Sequence, residues 1–248
     1  MKEKRLRGSL VVGLFLVSCA VAAEPVTVAV PPLDSLLEED GQGVYQRLMD
    51  RALEALGTEV RQYYYPYRRS LQAFEAGQVD CLFSFTDVLL QQHDRDDIVY
   101  SYPLGKFRFH IFTRADEAPL RSLEELEGLV VGSVMGHDVY LDLVEGLELP
   151  LEVARSDFHG VRMLRAGRLD ALIAAVPDIS PYLDQLSHDP DSPLLESHDR
   201  LNCHNTERNR DFLKALSAEL ARLREQGVYE EEAGDLYVPF CEGDGNEC

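Results

Sequence analysis

Apolar and polar positions along the chain follow two periods in turn, one of two residues and one of about 3.6. "VTVAV" (26–30) is β-branched and ends at Pro31-Pro32, which predicts a buried strand running into a loop. "GVYQRLMDRALEALG" then sets Val44, Leu48, Ala52 and Leu56 four apart, with Tyr45, Met49 and Leu53 beside them. That is an amphipathic helix closed by Gly57. "EVRQYYY" is a second strand, "PYRRSLQAFEAG" a helix opened by Pro66 and ended by Gly77, and "VDCLFSF" a third strand. The β-α-β-α-β order predicts parallel strands joined by right-handed crossovers. Past "DDIVYSYPL" and the apolar "FRFHIF" the same order returns. "SLEELEG" has Ser122 and Glu125 in capping-box spacing. Strand "LVVGSV", a helix from about Asp138, strand "LPLEVA", helix "FHGVRMLRAG" and strand "LDALIAAV" follow.

The two halves share local detail as well as order. "LQAFEAGQVDCLF" (71–83) and "VRMLRAGRLDALI" (161–173) each end a helix at a glycine, Gly77 or Gly167, and re-enter the sheet through Asp80 or Asp170. This predicts two lobes of like construction. Open α/β sheets bind ligands beyond the carboxyl ends of their strands, so a hinged pair can close over a small molecule.

The first residues stand outside this pattern. "MKEKRLR" is basic, "LVVGLFLV" is a short apolar run and "SCAVAA" offers small residues for cleavage, which together predict an export signal. The apolar run is far short of the ~20 residues that span a bilayer. Cleavage after Ala22 or Ala23 would release a soluble protein, whereas "LVSC" (16–19) resembles a lipobox that would tether it through Cys19. Both stay open, and either places the protein in the periplasm. The body carries Cys81, Cys203, Cys241 and Cys248, an even number suited to disulfides in an oxidising compartment, with three pairings possible. A formal charge of −20, with Lys and Arg scattered among the acids, argues against a nucleic-acid partner.

At this point the residues resemble a family, the extracytoplasmic solute-binding proteins of bacterial family 3, the polar amino-acid type. The resemblance is carried by "VPPLDSLLEEDGQGVYQRLMDRALEALG", "LQAFEAGQVDCLFSFT" with "IVYSYPL", "SLEELEGLVVGSVMG" with "MLRAGRLDALIA", and the terminal "NTERNRDFLKALSAELARLREQGVYEE". It implies an α/β, two-lobe type II periplasmic-binding-protein-like fold. Each lobe would be a mostly parallel sheet flanked by helices, with two crossover strands as hinge near Phe107–Arg114 and Glu196–Cys203. The division it implies is a signal peptide over 1–23, lobe one over 24–110 and 203–248, and lobe two over 111–202.

The resemblance also implies a site. Leu33 lies in the ligand loop. "PYRR" resembles a turn that opens the second helix at the lip of the cleft, where Arg69 would take a ligand carboxylate through a forked pair of hydrogen bonds and Tyr67 would cover an apolar face. Ser84, Phe85 and Thr86 end a strand with hydroxyls, amides and a ring. Gly136 and His137, in "MGHD", match a turn whose free amides would favour an anionic group. His137 would donate a hydrogen bond or make affinity pH-dependent. Against these stand a surface role for Arg69, simple exposure of His137 and an N-cap role for Asp138.

Two departures matter. "TDVL" puts Leu89 where amino-acid binders carry an arginine for the α-carboxylate, and Arg95 beside Asp94, Asp96 and Asp97 reads as a surface residue. The acid expected after "DALIA" is Ala175, with Asp178 three residues on. "HDRLNCHN" gathers His198, Cys203 and His204, yet adjacent ligands on a strand face opposite ways, so no metal site is expected. The stripe Phe212, Leu213, Leu216, Leu220 and Leu223 reads as core.

Three classes of function follow. The first is a non-enzymatic, monomeric receptor that needs no cofactor or metal and passes a small polar or carboxylate-bearing solute to an inner-membrane ABC permease. The second is an enzyme on the same fold, since exported cyclohexadienyl dehydratases resemble this family, with His137 or Asp178 as general acid. The third is a sensory or accessory module.

Overall fold

A computed structural model describes residues 24–91 and 93–240. The expected signal peptide, Cys19, Cys241 and Cys248 lie outside the described residues. β1 (Val26–Val30) sits between β2 (Val60–Tyr64) and β3 (Cys81–Phe85), parallel to both. Helices α1 (Val44–Leu56) and α2 (Tyr67–Glu75) make the crossovers. The second lobe repeats the arrangement, with β6 (Val131–Val134) between β7 (Leu151–Ala154) and β8 (Ala171–Val176), all parallel.

Two ten-residue strands, β5 (Gly105–Arg114) and β10 (Leu195–His204), join the lobes. β10 runs antiparallel on β3, and β5 runs antiparallel on β8. Each also carries a short antiparallel partner, β4 (Ile98–Tyr100) on β10 and β9 (Leu186–Ser187) on β5. The two crossover strands pair with each other, so one hydrogen-bonded path runs β2-β1-β3-β10-β5-β8-β6-β7. Where they meet, Glu196 lies opposite Arg108 and forms ion pairs with Lys106 at 2.6 Å and with Arg108 at 2.8 Å.

The repeated sequence does the same work in both lobes. α2 ends at Gly77 (φ 65°), and α5 (Asp157–Arg165) ends at Gly167 (φ 67°), a left-handed conformation that suits glycine. In each case the glycine N–H and the next N–H bond back to the last helical turn, Gln78 to Ala73 at 2.9 Å and Arg168 to Met163 at 3.0 Å. The aspartate that follows then clamps the first strand of its lobe. Asp80 accepts the Thr27 N–H at 2.8 Å, and Asp170 accepts the Val130 N–H at 2.9 Å.

Lobe one closes with α3 (Thr86–Leu90) and the C-terminal helices α6 (Glu207–Glu225) and α7 (Val228–Ala233), which pack on α1. The stripe Leu213, Leu216, Leu220 and Leu223 is buried there, with Phe212 half-buried. Cys81 and Cys203, directly opposite on β3 and β10, form a disulfide. The neighbouring His204 stacks on Phe74 with ring centroids 4.0 Å apart. Gly105 leaves room for Tyr45, whose hydroxyl would lie 2.2 Å from any β-carbon placed there.

One expected helix is barely present. The helix from Asp138 is α4, only four residues long (Asp138–Leu141), because Asp142 to Gly146 turn away before a second full turn forms.

Candidate functional site

A cavity of about 160 Å³ lies between the lobes at the carboxyl ends of the parallel strands. Lobe one contributes the Pro31–Asp34 loop after β1, and Tyr67 from the start of α2. Lobe two contributes Val134 to His137 after β6, Tyr140, Arg155 to Asp157 at the start of α5, and Asp178 after β8. A more open groove of about 450 Å³ shares Tyr67, Val134, Met135 and Gly136 with it. At that groove Arg68 of lobe one and Asp138 of lobe two form an ion pair across the seam.

Much of the seam is filled by the chain's own rings. Tyr140, buried on α4, meets Phe85 at 4.5 Å, Tyr67 at 5.5 Å and Phe109 at 6.1 Å between centroids. Such offset and edge contacts stabilise beyond the area they bury. Burial of the Tyr140 phenol, with Tyr67 and Asp199 beside it, raises its pKa well above the ordinary value, so it stays neutral. Tyr67 is pushed up to about 12, chiefly by burial, and shares a 2.6 Å hydrogen bond with Ser84.

The floor is acidic. Asp178 Oδ2 lies 3.6 Å from His137 Nε2, and each side chain is only 9% exposed. Asp178 Oδ1, His137 Nδ1 and Asp157 Oδ1 are buried without a hydrogen-bond partner. Asp157 is raised to about 6, first by burial and then by the charge of Asp178, with His137 acting the other way. Behind them Asp199 of β10, wholly buried, is raised to about 8 by burial and by Asp178, while its bond to Tyr45 opposes the rise. Three acids thus press on one another in a low-dielectric pocket. Arg155 stands exposed among the lining residues.

Five of the residues expected from the sequence meet here, namely Leu33, Tyr67, Gly136, His137 and Asp178. The others lie elsewhere. Arg69 is exposed, with its guanidinium 4.7 Å above the Tyr65 ring, so α2 turns it along the outer face of lobe one. Ser84 is spent on Tyr67, Phe85 is buried against Tyr140, and the Thr86 hydroxyl bonds Asn202 at 2.7 Å. A four-residue helix offers little dipole, and His137, its N-cap, makes no side-chain cap. Asp34, Tyr140, Arg155, Asp157 and Asp199 were not anticipated. "RSDF" did contain a signal, a serine N-cap followed by an acid, and Ser156 Oγ does accept the His159 N–H at 3.3 Å.

No protein-family model matches the chain, and no curated protein matches it. Solved structures do. The GluR0 ligand-binding core from Nostoc punctiforme, in complex with L-glutamate, aligns over 87% of this chain and 100% of its own, with a TM-score of 0.67 at 17% identity. A histidine kinase sensor domain with similarity to periplasmic binding proteins aligns over 88% and 98%, at 0.64 and 20%. The chain has the periplasmic-binding-protein fold. A third solved structure with this fold, the arginine-, lysine-, histidine-binding protein ArtJ from Geobacillus stearothermophilus, aligns over 86% and 95%, at 0.62 and 15% identity. At such identities the likeness carries the two-lobe architecture, and the side chains of the cleft must speak for themselves. Among the described residues no helix is long and apolar enough to cross a membrane.

Proposed function

We propose that the chain is a periplasmic solute-binding protein, which captures one small, polar, amino-acid-like solute between its lobes and passes it to an ABC-type permease. The observation that carries this reading is the cavity itself, about 160 Å³, lined from both lobes and bounded on the lobe-two side by buried polar atoms of His137, Asp157 and Asp178 that lack hydrogen-bond partners. Two structures of similar fold, a glutamate-bound core and an arginine-, lysine-, histidine-binding protein, support it. In this reading residues 1–23 are an export signal, 24–110 with 203–248 form lobe one, and 111–202 form lobe two. The protein acts as a monomer without turnover.

A thermal-shift screen against amino acids, opines, polyamines and dicarboxylates tests the proposal. A binder present at 100 times its dissociation constant raises stability by about 2.7 kcal/mol. Silence from every class contradicts the reading.

One observation favours a second reading, an enzyme on the same fold. Asp157, at about 6, is placed to hold or give a proton near neutral pH at the cavity wall. Incubation with prephenate or arogenate separates the two, since a receptor leaves them unconverted.

A further inference from the structure

The chemistry of the cavity is unbalanced in a way that names a class of solute. Its polar lining includes Asp34, Asp157 and Asp178, and Asp199 stands behind it in contact with Tyr45. Among the lining residues the one arginine is Arg155. Arg68 is paired with Asp138, Arg69 lies over Tyr65, and Arg155 is exposed. His137 is a single imidazole against Asp178, and at 3.6 Å the contact is too long for a hydrogen bond.

A carboxylate buried without a partner is costly, and so is one beside another carboxylate. Asp178 meets both conditions, with a side chain only 9% exposed, one oxygen unbonded, and Asp157 and Asp199 as electrostatic neighbours. A positive charge entering the cavity would satisfy these oxygens together. The walls suit the same guest, because Tyr67 and Tyr140 present rings, and an ammonium group near a ring face is attracted to its quadrupole. A volume of about 160 Å³ admits a molecule of on the order of ten heavy atoms.

We propose that the solute is a small alkylammonium ion, a mono- or diamine, held through its nitrogen by Asp157 and Asp178 and needing no carboxylate. This rests on the solute-binding reading of the same cavity and goes beyond it by naming an amine, because the lining sets three carboxylates, Asp34, Asp157 and Asp178, against the single arginine Arg155. The raised pKa of Asp157 agrees with an acid that lacks its counter-charge when the cavity is empty.

The test is a thermal-shift and calorimetric titration of the mature chain with 1,4-diaminobutane, ethylamine, L-lysine, L-glutamate and succinate. 1,4-Diaminobutane or ethylamine should bind at one site per chain while succinate does not. Asp178→Asn and Asp157→Asn should each weaken amine binding at least ten-fold with the fold retained by circular dichroism. Having two variants covers the case in which one fails to fold. Binding of lysine, glutamate or succinate with both amines silent overturns the proposal and leaves the solute-binding reading standing. Amine binding that survives both substitutions overturns the assignment to this cavity floor. If none of the five ligands binds, this proposal falls, and the solute-binding reading is then decided by the wider screen.

Discussion

His137 Nε2 stands 3.6 Å from Asp178 Oδ2, and each of the two side chains keeps another polar atom buried and unbonded. The pair is therefore close enough to feel each other's charge and too far apart to satisfy it. Removing the carboxylate while keeping its shape should relieve its repulsion with Asp157 and Asp199. Asp178→Asn is expected to raise the stability of the ligand-free protein by about 1 kcal/mol, or roughly 2–4 °C for a chain of this size. Differential scanning calorimetry at pH 7.5 checks this, and a fall in melting temperature contradicts it.

Asp199 makes stability depend on pH in a definite direction. Its folded-state pKa of about 8 lies above the unfolded value, so between about pH 4 and 8 the unfolded chain releases a proton that the folded chain keeps. The contribution is neutral below pH 4 and grows unfavourable as pH rises, by up to about 1.4 kcal/mol per unit. Acids held below their usual range by cations, such as Glu196 and Glu232, act oppositely at lower pH. The difference between wild type and Asp199→Asn isolates the term. Urea unfolding from pH 5 to 8 should show the variant gaining on the wild type as pH rises, and parallel curves would contradict this.

Tyr140 ties the lobes through its ring, since it packs on Tyr67, Phe85 and Phe109 at once. Tyr140→Ala should cost about 3 kcal/mol through lost contacts and the cavity left behind, with urea denaturation as the measure. By contrast Arg68 and Asp138 are mostly exposed, so Arg68→Ala should change stability by less than about 1 kcal/mol. A larger loss would mean that the exposed pair, and not the rings, holds the seam.

The disulfide closes a loop with a sequence separation of 122 residues, and on the chain-entropy account it restricts the unfolded state strongly. Replacing Cys81 and Cys203 together by alanine should cost about 4–5 kcal/mol in denaturant. An unchanged midpoint would contradict the pairing.

The fold was largely legible because its signals are local. Gly77 and Gly167 mark left-handed helix ends by residue type alone, and Asp80 and Asp170 recur at a fixed distance from them. The disulfide was not legible, because the opposition of Cys81 and Cys203 exists only once β10 has crossed back to β3. The site was half legible for the same reason. Leu33, Tyr67, Gly136, His137 and Asp178 follow from strand ends, which sequence locates. Arg69 lies over Tyr65 and Arg68 at the seam because one residue step along α2 turns a side chain by 100°, a difference that the "PYRR" pattern does not resolve. Asp199 escaped notice because an acid in "SHDRL" reads as surface, although the alternation on β10 buries Ser197, Asp199 and Leu201 on one face.

Arg69 does not line the cavity. Its exposed place over Tyr65 predicts that Arg69→Ala leaves solute affinity within about two-fold, measured by calorimetry. A ten-fold loss would restore it to the site.

The central claim is that the guest occupies the space between the lobes, and filling that space from either side tests it directly. Leu33→Trp from lobe one and Met135→Trp from lobe two both place a ring in the cavity, and Met135 is already 62% exposed, so its replacement spares the core. Calorimetric titration with the solute found by screening should show one site in the wild type and at least a hundred-fold loss of affinity in each variant, with melting temperatures preserved. Undiminished binding in both variants would place the guest somewhere other than the seam and contradict the account.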